Sequence, residues 1–129
     1  MSVSTDDFLE QAFRLMEGAN EIDHRSAISR GYYAAYHSAL ETAARLCLPS
    51  TQRSDVGVHE KLILRFESQG KGLKKIARRL RDNKRARAAA DYDIRDILPI
   101  SEAIFTVKLS RILVEDLTRL GAEVQDAAE

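Results

Sequence analysis

Cysteine, proline and glycine are scarce in this chain of 129 residues, which holds one, two and six of them. A single thiol, Cys47, cannot close an internal disulfide. Its place on the same helical stripe as Ala43 and Leu46 predicts a buried, inert side chain. With so few breakers, and no stretch of alternating apolar and polar β-branched residues, nothing reads as a strand. No run approaches the roughly 18 apolar residues of a membrane span, and the opening segment Met1-Ser2-Val3-Ser4-Thr5-Asp6-Asp7 lacks the basic and apolar regions of a signal peptide. A cytoplasmic protein with no membrane segment is expected. His24, His37 and His59 fall in no familiar ligand spacing, and one Cys does not make a structural zinc site. Gly70-Lys71-Gly72 lacks the preceding strand and the Lys-Ser/Thr ending of a phosphate loop. Asp91, Asp93 and Asp96 can be read as a cation site or, as acids ahead of a helix, as partners of its N-terminal dipole. Neither a metal nor an organic cofactor is expected.

What is present suits a helical bundle. Hydrophobic residues make up 44% and charged residues 31%, enough for one packed core with a solvated surface. One domain over residues 1–129 is expected, with its core at about 5–120 and a polar tail at 122–129. A first helix is predicted from Thr5 to Glu17, started by Ser4/Thr5 and ended near Gly18. A second runs from about Asp23 to Cys47, where Pro49 forbids continuation. A third covers about Asp55 to Glu67, with His59 pointing inward and Gly70 and Gly72 as stop signals. A basic helix follows from about Leu73 to Ala90. The last begins near Asp96, with Pro99 in its first turn, and stops at Gly121. Five helices joined by about four to eight residues predict an all-α, up-and-down bundle.

Two features of this pattern carry chemistry. Three of the four tyrosines fall within Arg25-Ser26-Ala27-Ile28-Ser29-Arg30-Gly31-Tyr32-Tyr33-Ala34-Ala35-Tyr36-His37. At 100° per residue, Arg30, Tyr33, His37 and Glu41 share one face, while Ile28, Tyr32, Ala35, Tyr36, Ala39, Ala43 and Leu46 form an adjacent apolar stripe. The second feature is charge. The chain is neutral overall, yet residues 71 to 87 hold nine Lys/Arg against one acid, Asp82, so this segment carries +8 and the remainder −8. Such segregation suits a phosphate-bearing partner, an acidic protein partner, or a homodimer in which one basic helix meets the other copy's acidic face.

The chain resembles the HEPN domains, in particular their small stand-alone prokaryotic members, at three places in the family's order. These are Ser26-Ala27-Ile28-Ser29-Arg30-Gly31-Tyr32-Tyr33-Ala34-Ala35-Tyr36-His37, then Gly57-Val58-His59, then Arg87-Ala88-Ala89-Ala90-Asp91-Tyr92-Asp93. The resemblance covers roughly Thr5 to Leu120. It implies a helical bundle that commonly dimerises, frequently sits beside a minimal nucleotidyltransferase, and often acts in toxin–antitoxin or phage-defence systems. Many members are metal-independent ribonucleases that use the ribose 2′-hydroxyl as nucleophile, an Arg to neutralise phosphoryl charge and a His to move protons. In those enzymes the signature is an Arg, four to six spacers and a His late in the bundle. Here that place reads Arg87, three spacers, Asp91, a residue that nearby arginines would keep ionised. Arg30 to His37 and Arg53 to His59 match the spacing elsewhere in the chain.

The expected function is therefore a HEPN-type domain that binds RNA or nucleotide, acting with a cognate nucleotidyltransferase and forming a homodimer. The alternatives are a metal-independent endoribonuclease toxin and a purely structural partner that neutralises a cognate enzyme. Arg30, His37 and Arg87 are the candidate catalytic residues. Tyr33, His59, Asp91 and Tyr92 are placed with them in a polar cleft or, equally, a buried network that fixes helix register. Arg78, Arg79, Lys84 and Arg85 are the expected nucleic-acid or partner contacts.

Overall fold

The computed structural model describes residues 2–128, with side chains through residue 124. It contains five helices and is 76% helical, with no strand among the described residues. In chain order they are α1 (Thr5–Met16), α2 (Glu21–Arg45), α3 (Val58–Glu67), α4 (Lys71–Tyr92) and α5 (Ile100–Ala128). No helix among the described residues is long and apolar enough to cross a membrane.

Local chemistry sets the ends. Ser4 caps α1 through a reciprocal box: its hydroxyl accepts from the Asp7 N–H, and the Asp7 carboxylate accepts from the Ser4 N–H at 2.7 Å. α2 ends in a Schellman turn, in which the Leu48 N–H reaches the Ala43 carbonyl and the Cys47 N–H reaches that of Ala44. Cys47 occupies the left-handed position of that turn, with φ 53°. The thiol expected to be buried is consequently exposed, because the turn takes residue 47 off the helical stripe and sends buried Leu48 into the core instead. Twelve residues, 46–57, separate α2 from α3, more than the expected four to eight.

Two glycines read as stops lie inside helices. Gly72 falls in the first turn of α4, and α5 runs through Gly121 to Ala128 rather than ending there. A Cβ on Gly121 would sit 3.2 Å from the Arg45 side chain, so this glycine serves the close approach of α2 and α5. The helix thereby extends over the segment expected as a polar tail, whose side chains beyond 124 lie outside the described residues.

The long α2 is the central element. Ala27, Gly31, Ala34 and Thr42 keep its surface low, allowing α5 to pack closely with Ala103, Val107, Leu113 and Leu117. Thr42 donates its hydroxyl to the Leu117 carbonyl at 3.0 Å, and Ser110 donates to the Asn83 side chain at 2.6 Å. Both polar contacts are buried and satisfied, as core polar groups must be. On the other side, α3 and α4 close the main core with Leu62, Ile63, Phe66, Ile76 and Leu80.

Candidate functional site

The C-terminal half of α4 lies against the tyrosine-rich segment of α2 and the start of α3. Arg87 projects from the buried side of α4, opposite its outward basic stripe, and its side chain is 14% exposed. Its guanidinium carbon lies 5.6 Å from the Tyr32 ring centre and 5.9 Å from that of Tyr33. Arg30, one turn earlier on α2, places its own guanidinium 5.3 Å from the same Tyr33 ring. Two cations thus converge on one aromatic ring, which stabilises them through its quadrupole. A single carboxylate, Asp91, approaches Arg87, at 3.6 Å, and Asp91 also accepts a long 3.5 Å hydrogen bond from Ser29. Arg87 Nε is buried without a hydrogen-bond partner, an unusual state for a group whose desolvation is costly.

Tyr32 and His59 form the floor of this cluster. The Tyr32 hydroxyl and His59 Nδ1 are 2.6 Å apart. Burial raises the Tyr32 pKa well above its ordinary value. Burial also lowers that of His59, assisted by the charges of Arg87 and Lys84. Two neutral groups fit these directions, the phenol donating to Nδ1 and the imidazole keeping its proton on Nε2. Tyr36 completes the packing, its ring centre 4.6 Å from that of His59.

The sequence-predicted residues are therefore divided. Arg30, Tyr33, Arg87, Asp91 and His59 come together. His37 does not join them: it is exposed on the far side of Tyr36, with its ring 5.4 Å from that of Phe8, and it lines an open groove of about 920 Å³ between the α1 start, α2 and α5. Arg30 touches both neighbourhoods, since it also lies 5.6 Å from the Phe8 ring centre. Tyr92 is 73% exposed at the end of α4. The four basic contacts also separate. Arg78 and Arg85 face outward and line a cleft of about 380 Å³ with Lys74 and Arg81. Arg79 pairs with Asp116 of α5 at 2.9 Å, and Lys84 approaches Glu60 of α3 at 3.6 Å. Spacing of seven places Arg78, Arg85 and Tyr92 in one line along the helix.

One residue with a large structural role was given none in the sequence. Buried Arg25 donates from Nη1 to the carbonyls of Ala90 at 3.0 Å, Asp93 at 3.3 Å and Ala89 at 3.4 Å, and from Nη2 to that of Asp96. Its Nε donates to Glu21 at 3.1 Å, and the Leu98 N–H donates to the other Glu21 oxygen at 2.9 Å. These contacts hold the Glu21 carboxyl below its ordinary range, the Leu98 bond most of all. Arg25 thus closes the C-terminus of α4, where carbonyls lack helical partners and a cation is favoured. The only sequence signal was an i, i+4 Glu–Arg pair, common on solvated helices.

Among the described residues, no three His, Cys, Asp or Glu side chains lie together as a metal would require. No protein-family model matches the chain, and no curated protein matches it.

Proposed function

We propose that this domain binds the phosphate groups of RNA or a nucleotide at the Arg87–Arg30 cluster, and that it works as a HEPN-type partner of a nucleotidyltransferase in a toxin–antitoxin or defence setting. The observation that carries the binding reading is the buried, unpartnered Arg87 Nε beside a second guanidinium, with one carboxylate at 3.6 Å as the acidic partner of Arg87. A guanidinium presents its donors as a fork that matches a phosphate, and a buried donor left unmatched gains most from such a ligand. The outward line of Lys74, Arg78 and Arg85 supplies a sequence-independent field that draws a polyanion in, and exposed Tyr92 offers a face on which a base can stack. The partner and pathway part of the reading rests on the resemblance at Arg30–His37 and Arg87–Tyr92.

A labelled single-stranded RNA titrated against the protein in EDTA tests this reading. Arg87→Met should weaken binding at least about tenfold, a loss matching one charge-assisted contact. Affinity unchanged by Arg87→Met and by Arg30→Met would refute it. The endoribonuclease alternative is favoured by one observation, the Tyr32–His59 pair beside Arg87, and it transfers the proton-handling role from His37 to His59. RNA cleavage in EDTA that survives His37→Ala and disappears in His59→Ala would establish that alternative.

A further inference from the structure

The back of α5 is bare. Its inner side is fully used against α2, where Ala103, Val107, Leu113 and Leu117 are 0–1% exposed. Its outer side and the turn before it leave Ile97, Ile100, Ile104, Phe105, Leu109 and Ile112 exposed, Ile97 by 86% and Phe105 by 63%. These six side chains present about 650 Å² of apolar surface, above the few hundred typical of a monomer's contiguous patch.

We propose that this surface is the seat of a second copy of the same chain, packed antiparallel about a two-fold axis near residues 106–107. Three observations select that occupant. The first is area: two such faces together bring about 1,300 Å² out of water, inside the 1,200–2,000 Å² of a stable interface. The second is self-complementarity. Ser101, Phe105, Lys108 and Ile112 follow a four-three-four spacing that holds one seam in line along a helix. Reversed about its midpoint, that seam sets small Ser101 against Ile112 of the second copy and Phe105 against its Leu109, so each bulky side chain meets space or an apolar neighbour. The third is charge. Acids Glu102 and Glu115 alternate with Lys108 and Arg111 around the patch, so it lacks the single-sign field that a polyanion needs. The interface is thus apolar and on α5, whereas the charge segregation of the sequence pointed to the basic helix α4.

This inference is independent of phosphate binding and is tested without RNA. Sedimentation equilibrium of the full chain at about 50 μM should give twice the 14.5 kDa chain mass, and the double variant Phe105→Glu/Leu109→Glu should return to the single-chain mass. Circular dichroism on the variant must retain the helical signal, which is expected because both side chains already face solvent; if that variant loses helix, Ile112→Lys and Phe105→Ser replace it. A monomeric wild type at 50 μM overturns the proposal, including one that associates only when a different protein is added. A dimer that persists in folded α5 variants, or that dissociates only in Arg78→Ser/Arg85→Ser, overturns it equally by placing the interface elsewhere.

Discussion

Arg25 and Arg87 both carry a guanidinium out of water beside the last turns of α4, and the comparison between them separates architecture from function. Arg25 is surrounded by acceptors: four backbone carbonyls and the Glu21 carboxylate take its hydrogen bonds. Its charge is matched to a helix end that needs a cation, and nothing is left over for a ligand. Arg87 is surrounded by rings. Tyr32 and Tyr33 attract it without accepting strong hydrogen bonds, Asp91 approaches only to 3.6 Å, and Nε has no partner. Burial alone therefore does not distinguish a structural arginine from a binding one. The count of unsatisfied donors does.

The sharpest way to break this comparison is to remove Arg25. Arg25→Met should destabilise the domain by about 3 kcal/mol, because several buried carbonyls and Glu21 lose their donor at once. Thermal denaturation should show a fall on the order of 10 °C, with RNA affinity retained below the transition. Arg87→Met should do the reverse. Replacing a poorly paired buried cation with an apolar chain of similar length is neutral or stabilising in other proteins, so its unfolding free energy should stay within about 1 kcal/mol of wild type while RNA affinity falls.

His59 sharpens the comparison through pH. Its folded pKa is lowered, chiefly by burial and then by Arg87 and Lys84, from an ordinary 6.5. The unfolded chain therefore takes up the proton first. The contribution of His59 to stability is complete above pH 6.5 and is lost as pH falls below it. His59→Gln should cost about 1 kcal/mol near pH 8 by weakening the Tyr32 hydrogen bond, and its stability should vary less than wild type between pH 7 and pH 5.5. Chemical denaturation at several pH values measures both. Glu60 and Glu21, whose pKa values are also lowered, titrate below their ordinary 4.5 and leave this window to His59. The smallest effect on stability belongs to the outward stripe: Arg78→Ser and Arg85→Ser should each change it by less than about 0.5 kcal/mol, while each reduces the salt dependence of RNA binding by about one counterion.

The five helices were legible in the sequence because apolar spacing and breaker scarcity report on helix formation directly. Helix ends were less so. Gly72 and Gly121 were read as stops, but a glycine within a helix can serve packing against a neighbour, as Arg45 shows at Gly121. Cys47 was misplaced because periodicity extrapolates a helix that the Schellman turn had already ended. In the site, Arg30, Tyr33, Arg87, Asp91 and His59 were each named from the chain and are found together. His37 was grouped with them by one-helix geometry, yet which side of Tyr36 faces α4 depends on where α1 and Phe8 pack. Arg25 was invisible because its partners are backbone carbonyls 64 to 71 residues away, and a carbonyl has no sequence signature. The unpartnered face of α5 was missed for a related reason: Ile104, Phe105, Leu109 and Ile112 look like core residues until α2 is seen to occupy the other side.

The central claim, that Arg87 has donors to give and Arg25 has none, is tested most directly by observing their Nε–H groups in a ¹⁵N arginine-labelled sample titrated with a short RNA. The Arg87 Nε signal, assigned by its loss in Arg87→Met, should shift progressively to saturation, while the Arg25 signal stays within its free position. A shift at Arg25 with Arg87 unmoved would contradict the account.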